Sequence, residues 1–151
     1  FTYYETIGGG FGARPDRDGV DGVQVGMTNT LNTPIEALEA EYPMRIERYG
    51  FREDSGGEGE YTGGCGLVRS LTVETGVTVS LLTERRRLQP RGLQGGQHGA
   101  VGINRIDGET VPAKTTVDIG AGSTVTIETP GGGGYGRPEK KRGEGKQGNG
   151  A

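Results

Sequence analysis

The chain contains no tryptophan, one cysteine, one histidine and two methionines among its 151 residues. A single cysteine excludes an internal disulfide and fits a reducing, cytoplasmic setting. With Cys65 and His98 as the only residues of their kinds, a self-contained zinc site of three or four soft ligands at regular spacing is not expected. Long apolar runs are also missing, so neither a membrane-spanning helix nor a secretion signal is expected. Charge of one sign is not in excess either. A net charge of −3 gives no electrostatic case for nucleic acid. Large apolar side chains are scarce: Leu, Ile, Val and Phe make up 29 of 151 residues, little with which to offset roughly 1–2 kcal/mol of backbone entropy per ordered residue.

What the chain has in quantity is glycine, 32 residues of it. Between the glycine stretches the pattern is β-rich, an α+β chain of mostly antiparallel sheet with long Gly-rich loops and one short helix. FTYYETI alternates as a strand does. VQVGM, MRIERYGFRED, GLVRSLTVE, VTVSLLTER, INRID, ETVPAK, TTVDI and STVTIET read as further strands or extended segments. Thr75–Gly76 is expected as a tight turn, Asp107–Gly108 as a hairpin turn, and Val117, Ile119, Val125 and Ile127 as the facing residues of two strands paired around GAG. The helix is placed at TPIEALEAEYP, with Thr33 as N-cap, Pro34 at the first helical position, Glu36 closing a capping box, and Pro43 as terminator. Ile35, Leu38 and Tyr42 form its apolar face. Residues 1–136 form one structural unit, and 137–151 are expected to be a disordered polar tail.

DSGGEGEYTGGCG, residues 54–66, leads into a strand rather than a helix and carries no Gly-Lys-Ser/Thr, so a phosphate loop is disfavoured. Close backbone packing and tight turns explain the glycines better. Cys65 is expected as a small buried side chain and His98 as a solvated loop residue. Two polar groupings remain as binding candidates. Asn29, Asn32 and Glu36 gather at the helix start, a place that suits an anion or polar ligand, although a helix cap also explains them. Arg85, in the run Arg85, Arg86, Arg87 and Arg91, suits a carboxylate or phosphate, although solvation or a subunit contact also explains it.

Five strings occur in order: YYETIGGGFGARPDRDG, TNTLNTPIEALEAEYP, DSGGEGEYTGGCGLVR, ERRRLQPRGLQGGQHG and DIGAGSTVTIETPGGGGYG. Together they closely resemble the C-terminal part of the hydantoinase B/oxoprolinase family, the N-methylhydantoinase B-type subunit. The resemblance runs from Phe1 to about Gly136, and with Phe1 rather than Met at the first position it implies a partial domain of a larger subunit. It further implies an ATP-dependent enzyme opening hydantoins or 5-oxoproline, by phosphorylation of the amide oxygen and attack at the activated carbon. ATP and Mg²⁺ are expected in a companion hydantoinase A-type subunit. A divalent metal is expected in the remainder of the B subunit. Asn29, Asn32, Glu36 and Arg85 are the substrate-contact candidates, and no cofactor is expected within these residues. An acetone or acetophenone carboxylase subunit and a non-catalytic interaction module are the competing expectations.

Overall fold

The structure, a computed structural model, describes residues 1–23 and 34–140. Seven strands and one helix follow in the order α1 (Ile35–Glu41), β1 (Met44–Arg52), β2 (Gly66–Val73), β3 (Val77–Leu82), β4 (Ile103–Ile106), β5 (Glu109–Val111), β6 (Lys114–Ile119) and β7 (Thr124–Glu128). They build a five-stranded sheet ordered β1-β2-β7-β4-β5 and a separate two-stranded ribbon, β3-β6. All pairings are antiparallel.

Opposed residues in a ladder share a face. The register Ile46↔Leu71↔Val125↔Ile106 therefore runs an apolar row across the large sheet. Met44, Val73, Val125 and Ile127 are buried there. The opposite face is mixed, with buried Val68 beside a row of hydroxyls. Hydroxyl pairs Ser70–Thr126 (2.9 Å) and Thr72–Thr124 (3.0 Å) cross it. The register of β1 shifts between Ile46 and Arg48, a bulge that bends this edge strand. On the ribbon, Val77↔Ile119 and Val79↔Val117 are half-buried on one side, while Thr78 donates to Asp118 (2.6 Å) on the exposed side.

The helix is shorter than the sequence suggests. Pro34, expected as the first helical residue, is extended (ψ 141°) and serves as the cap residue instead. Its carbonyl accepts the Leu38 N–H at 2.9 Å. The capping box expected between Thr33 and Glu36 needed Pro34 inside the helix, so Glu36 falls one position too early to close it; Thr33 lies outside the described residues. Leu38 is fully buried, worth about 1.5–3 kcal/mol. Tyr42 ends the helix in an extended conformation (φ −118°), as the residue before a proline must. Its ring packs on those of Phe1 and Tyr3 at 5.4 and 5.2 Å.

Three strand expectations are corrected. FTYYETI alternates but pairs with no strand among the described residues; its first bridge is Gly9↔Val23. Its side chains are used instead as a strap, with Tyr3 on Tyr42 and Glu5 on Arg69. β2 and β3 follow one another across Thr75–Gly76 but do not pair. The end of β2 is already engaged, because Val73 exchanges hydrogen bonds with Gly122 and Ser123 and Glu74 donates to Pro43. For the same reason β6 and β7 do not close a hairpin around GAG. β7 is taken by β2 and β4, and β6 by β3. The Asp107–Gly108 hairpin forms as expected, with φ of 51° and 83° at its two central residues. VQVGM lies outside the described residues apart from Val23.

The glycine stretches are a core rather than loops. Residues 131–134, Gly-Gly-Gly-Gly, run extended through its centre, outside any strand or helix. Their contacts repeat every third residue. The carbonyls of Pro130 and Gly133 accept from Gly10 and Ala13, and the N–H groups of Gly131 and Gly134 donate to Ala100 and Gln97. A β-carbon on Gly131 or Gly134 would strike the carbonyl of Ser55 or Glu58, at 1.9 and 2.3 Å. No glycine of this segment has positive φ. Extended backbone with a threefold repeat and hydrogen bonds only to neighbours is of the polyproline II type. Segments 9–13, 55–58, 63–64, 90–93 and 97–100 surround it. The scarcity of large apolar residues is thereby explained: much of the interior is backbone packed on backbone. The stretch 54–66 is a wall of this bundle as well as a connection between strands. At its far end Pro138–Lys140 forms a 3₁₀ turn, inside the span expected as tail; residues 141–151 lie outside the described residues.

Candidate functional site

Glu36, the second residue of α1, is exposed. Asn29 and Asn32 lie outside the described residues. Arg85 is exposed on the segment after β3 and has a left-handed backbone, φ 56°. No hydrogen bond or ion pair joins Glu36 to Arg85 among the described residues. Cys65, expected to be buried, is half-exposed; it stands at the junction between the glycine stretch and β2, and its N–H donates to Asp21 (2.7 Å). His98 is exposed as expected, and its Nδ1 accepts the Gly92 N–H at 2.9 Å.

The turn at Arg85 has a consequence for its neighbour. The Arg85 carbonyl accepts the Gly102 N–H (2.8 Å), which lays the Arg86 guanidinium on the bare backbone of Gly102. A β-carbon there would lie 2.2 Å from Arg86 Nη1. Arg86 Nε donates to Asn104 Oδ1 (3.0 Å) and Nη1 to the Glu84 carbonyl (2.6 Å). Asn104 is buried and is itself held by Thr83, to whose hydroxyl it donates at 2.8 Å. From the other side Arg52 Nη1 donates to the carbonyls of Val101 (2.6 Å) and Thr129 (3.1 Å). Burial, and then the neighbouring Arg52 charge, push the Arg86 pKa down to about 10. Neither arginine forms an ion pair with a carboxylate among the described residues. The Arg85–Arg87 run signalled this site in the sequence; Arg52, 34 positions earlier, gave no signal.

A surface depression is lined by Glu60, Gln94, Gly95, Tyr135, Gly136 and Arg137. Three of these residues, Gln94, Gly95 and Gly136, have positive φ. Among the described residues no group of three or more His, Cys, Asp or Glu side chains is placed to hold a metal. No helix among them is long and apolar enough to cross a membrane. Many of the bundle's glycine N–H groups are already engaged. Those of Gly57, Gly63, Gly64, Gly99, Gly131, Gly132 and Gly134 all donate to backbone carbonyls.

A five-stranded antiparallel sheet and a two-stranded ribbon set beside a glycine bundle, with one short helix, define an α+β chain of mostly antiparallel sheet. Comparison with known proteins gives that class its name: the chain belongs to the hydantoinase B/oxoprolinase family, whose model matches residues 1–138. It is 49% identical over 141 residues to 5-oxoprolinase 1 of Arabidopsis thaliana, covering 90% of this chain and 11% of that protein. The structure superposes on an ATP-dependent caprolactamase from Pseudomonas jessenii with a TM-score of 0.72 and 27% identity, covering 89% of this chain and 25% of that one. An acetone carboxylase shares the fold with a TM-score of 0.64 at 16% identity, over 88% of this chain and 23% of that chain. The chain thus spans a small share of the proteins it matches and is a partial domain.

Proposed function

We propose that the chain is the C-terminal portion of a B-type subunit in an ATP-dependent enzyme that hydrolyses cyclic amides of the hydantoin or 5-oxoproline class. The observation that carries this reading is the family match over residues 1–138, joined to relatives whose names specify two different lactams, 5-oxoproline and caprolactam. A lactam nitrogen delocalises into its carbonyl, so water attacks it slowly. Phosphorylation of the amide oxygen turns it into a leaving group, and that chemistry draws on Mg²⁺-bound ATP.

The nucleotide is assigned to a companion A-type subunit, a reading supported by the many glycine N–H groups of this chain that already donate to backbone carbonyls. A divalent metal is assigned to the remainder of the B subunit, away from these residues. The chain's own contribution is a rigid wall. The glycine bundle holds the large sheet and the segment around Arg85 in fixed relation. Substrate contacts are assigned to Asn29, Asn32 and Glu36, with Arg85 as a further candidate. The assembly is placed in the cytoplasm.

The test is to express the full-length subunit with its A-type partner and measure ATP hydrolysis with 5-oxoproline, hydantoin and caprolactam in turn. Stimulation by a lactam or hydantoin is expected. ATP turnover that responds only to acetone and bicarbonate moves the protein to the carboxylases, whose fold it shares. No stimulation by any of them favours a non-catalytic module. Within the active complex, Asn32→Ala is expected to lower turnover; wild-type kinetics at unchanged stability removes Asn32 from the site.

A further inference from the structure

The Arg52–Arg86 pair is not explained by folding alone. Like charges repel, and two guanidiniums brought together on one backbone segment cost stability unless something offsets them. Each is pinned. Arg52 is held by the carbonyls of Val101 and Thr129, and Arg86 by Asn104, the Glu84 carbonyl and the face of Gly102. The pinning leaves donors over. Arg52 Nε and Nη2 and Arg86 Nη2 have no hydrogen-bond partner among the described residues, and they are not buried atoms without partners, which occur only on Arg69. They therefore reach solvent. Nearby acids do not neutralise the pair. Glu84 forms no ion pair with Arg86: its carboxylate reaches Lys114 at 3.6 Å, its carbonyl accepts from Arg86, and its charge offsets less than burial and Arg52 impose; Glu128 is paired with Arg105.

We propose that Arg52 and Arg86 form a binding seat for a small oxyanion, a carboxylate or a phosphate, held between the two guanidiniums by Arg52 Nε and Nη2 and Arg86 Nη2. The forked donors of a fixed guanidinium match the paired oxygens of such groups. Gly102 belongs to the seat because only a bare backbone lets Arg86 lie flat. Arg85 belongs to it as the turn residue whose carbonyl fixes Gly102. The seat requires neither ATP nor lactam and stands independently of the enzymatic reading.

The experiment is calorimetric titration of the full-length protein with inorganic phosphate and, separately, acetate, at constant ionic strength set with chloride. Saturable binding of at least one is expected, and the arm that saturates identifies the source of the oxyanion. Arg86→Gln is expected to weaken that binding by about tenfold or more. Arg86→Lys keeps the charge without the fork and is expected to fall between. Arg87→Gln, an exposed neighbour, is expected to stay within about twofold of wild type. Arg52→Gln removes two backbone clamps, so its fold is checked by circular dichroism; should it fail to fold, Arg86→Gln decides. Absence of saturable binding by either anion, or equal loss in Arg86→Gln and Arg87→Gln, overturns the proposal.

Discussion

The backbone of Gly132 runs so close to that of Phe11 that a β-carbon on Gly132 would lie 1.9 Å from the Phe11 carbonyl oxygen. Neither partner is able to give way, since the Phe11 carbonyl accepts from Gly64 and the Gly132 N–H also donates to Gly64 (both 2.8 Å). Gly132→Ala is therefore expected to cost about 4 kcal/mol or more, in the range reserved for core disruption. Gly50 is the control, a strand glycine with nothing within 4 Å of its β-position. Gly50→Ala is expected to change stability by no more than about 1 kcal/mol. Chemical denaturation of the two variants of the full-length protein checks the contrast.

Arg69 is 2% exposed and lies over the Tyr49 ring at 4.7 Å. Its Nε is 2.6 Å from Glu5 Oε1, yet it lies off the line of a hydrogen bond, and Nη2 has no partner. The contact is thus mainly ionic, and Glu5, on the strap from the first residues, is the one carboxylate paired with this buried cation among the described residues. Glu5→Gln is expected to destabilise by about 3–5 kcal/mol by stranding that charge. Replacing both residues, as Glu5→Gln with Arg69→Met, is expected to recover much of the loss. A thermodynamic cycle over the three variants measures it; additive losses would show that the pair does not interact.

Thr129 ties the sheet to the bundle. Its hydroxyl accepts the Leu67 N–H (2.6 Å) and donates to the Gly8 carbonyl (2.9 Å), all in buried surroundings. Thr129→Val keeps the shape and strands both backbone groups, an expected cost of about 2–4 kcal/mol. Thr129→Ser is expected to retain most of the stability. Equal melting temperatures for the valine and serine variants would refute the hydrogen-bonding role.

At the β4–β5 turn the constraint is conformation rather than space. Gly108 has φ 83° and nothing within 4 Å of its β-position. Gly108→Ala is expected to cost about 1–2 kcal/mol, while Asp107→Asn, which tolerates the left-handed region, is expected to be close to neutral. Urea midpoints of the two variants distinguish backbone strain from crowding.

These positions also mark where the sequence was legible. Asp107–Gly108 and the helix rest on local signals; the turn appears where the residues place it, and the helix appears shortened, because Pro34 stays extended instead of opening it. The partners of β3, β6 and β7 do not rest on local signals, because alternation of Val117, Ile119, Val125 and Ile127 assigns faces and says nothing of neighbours. FTYYETI alternates for contacts with Tyr42 and Arg69 rather than for a ladder. Glycine runs carry no side-chain periodicity, so a threefold backbone packed through its absences reads as loop. At the candidate site, the arginine run drew attention to Arg85, while the inward-turned residue is Arg86; its companion Arg52 is brought beside it only by long-range folding.

Four identical residues in a row make the central segment ambiguous to its neighbours, since a slip by one position would leave glycine at most of the same places. The ends resolve the ambiguity. Slid one way, Pro130 would take the place of Gly131, where it has no N–H to give Ala100 and its ring would meet Ser55. Slid the other way, Tyr135 would bring a side chain onto the Glu58 carbonyl and break its paired bonds with Tyr61. Pro130 and Tyr135 thus act as stops on a threaded segment, and alignment of the whole bundle is decided by the two residues that bracket the glycines.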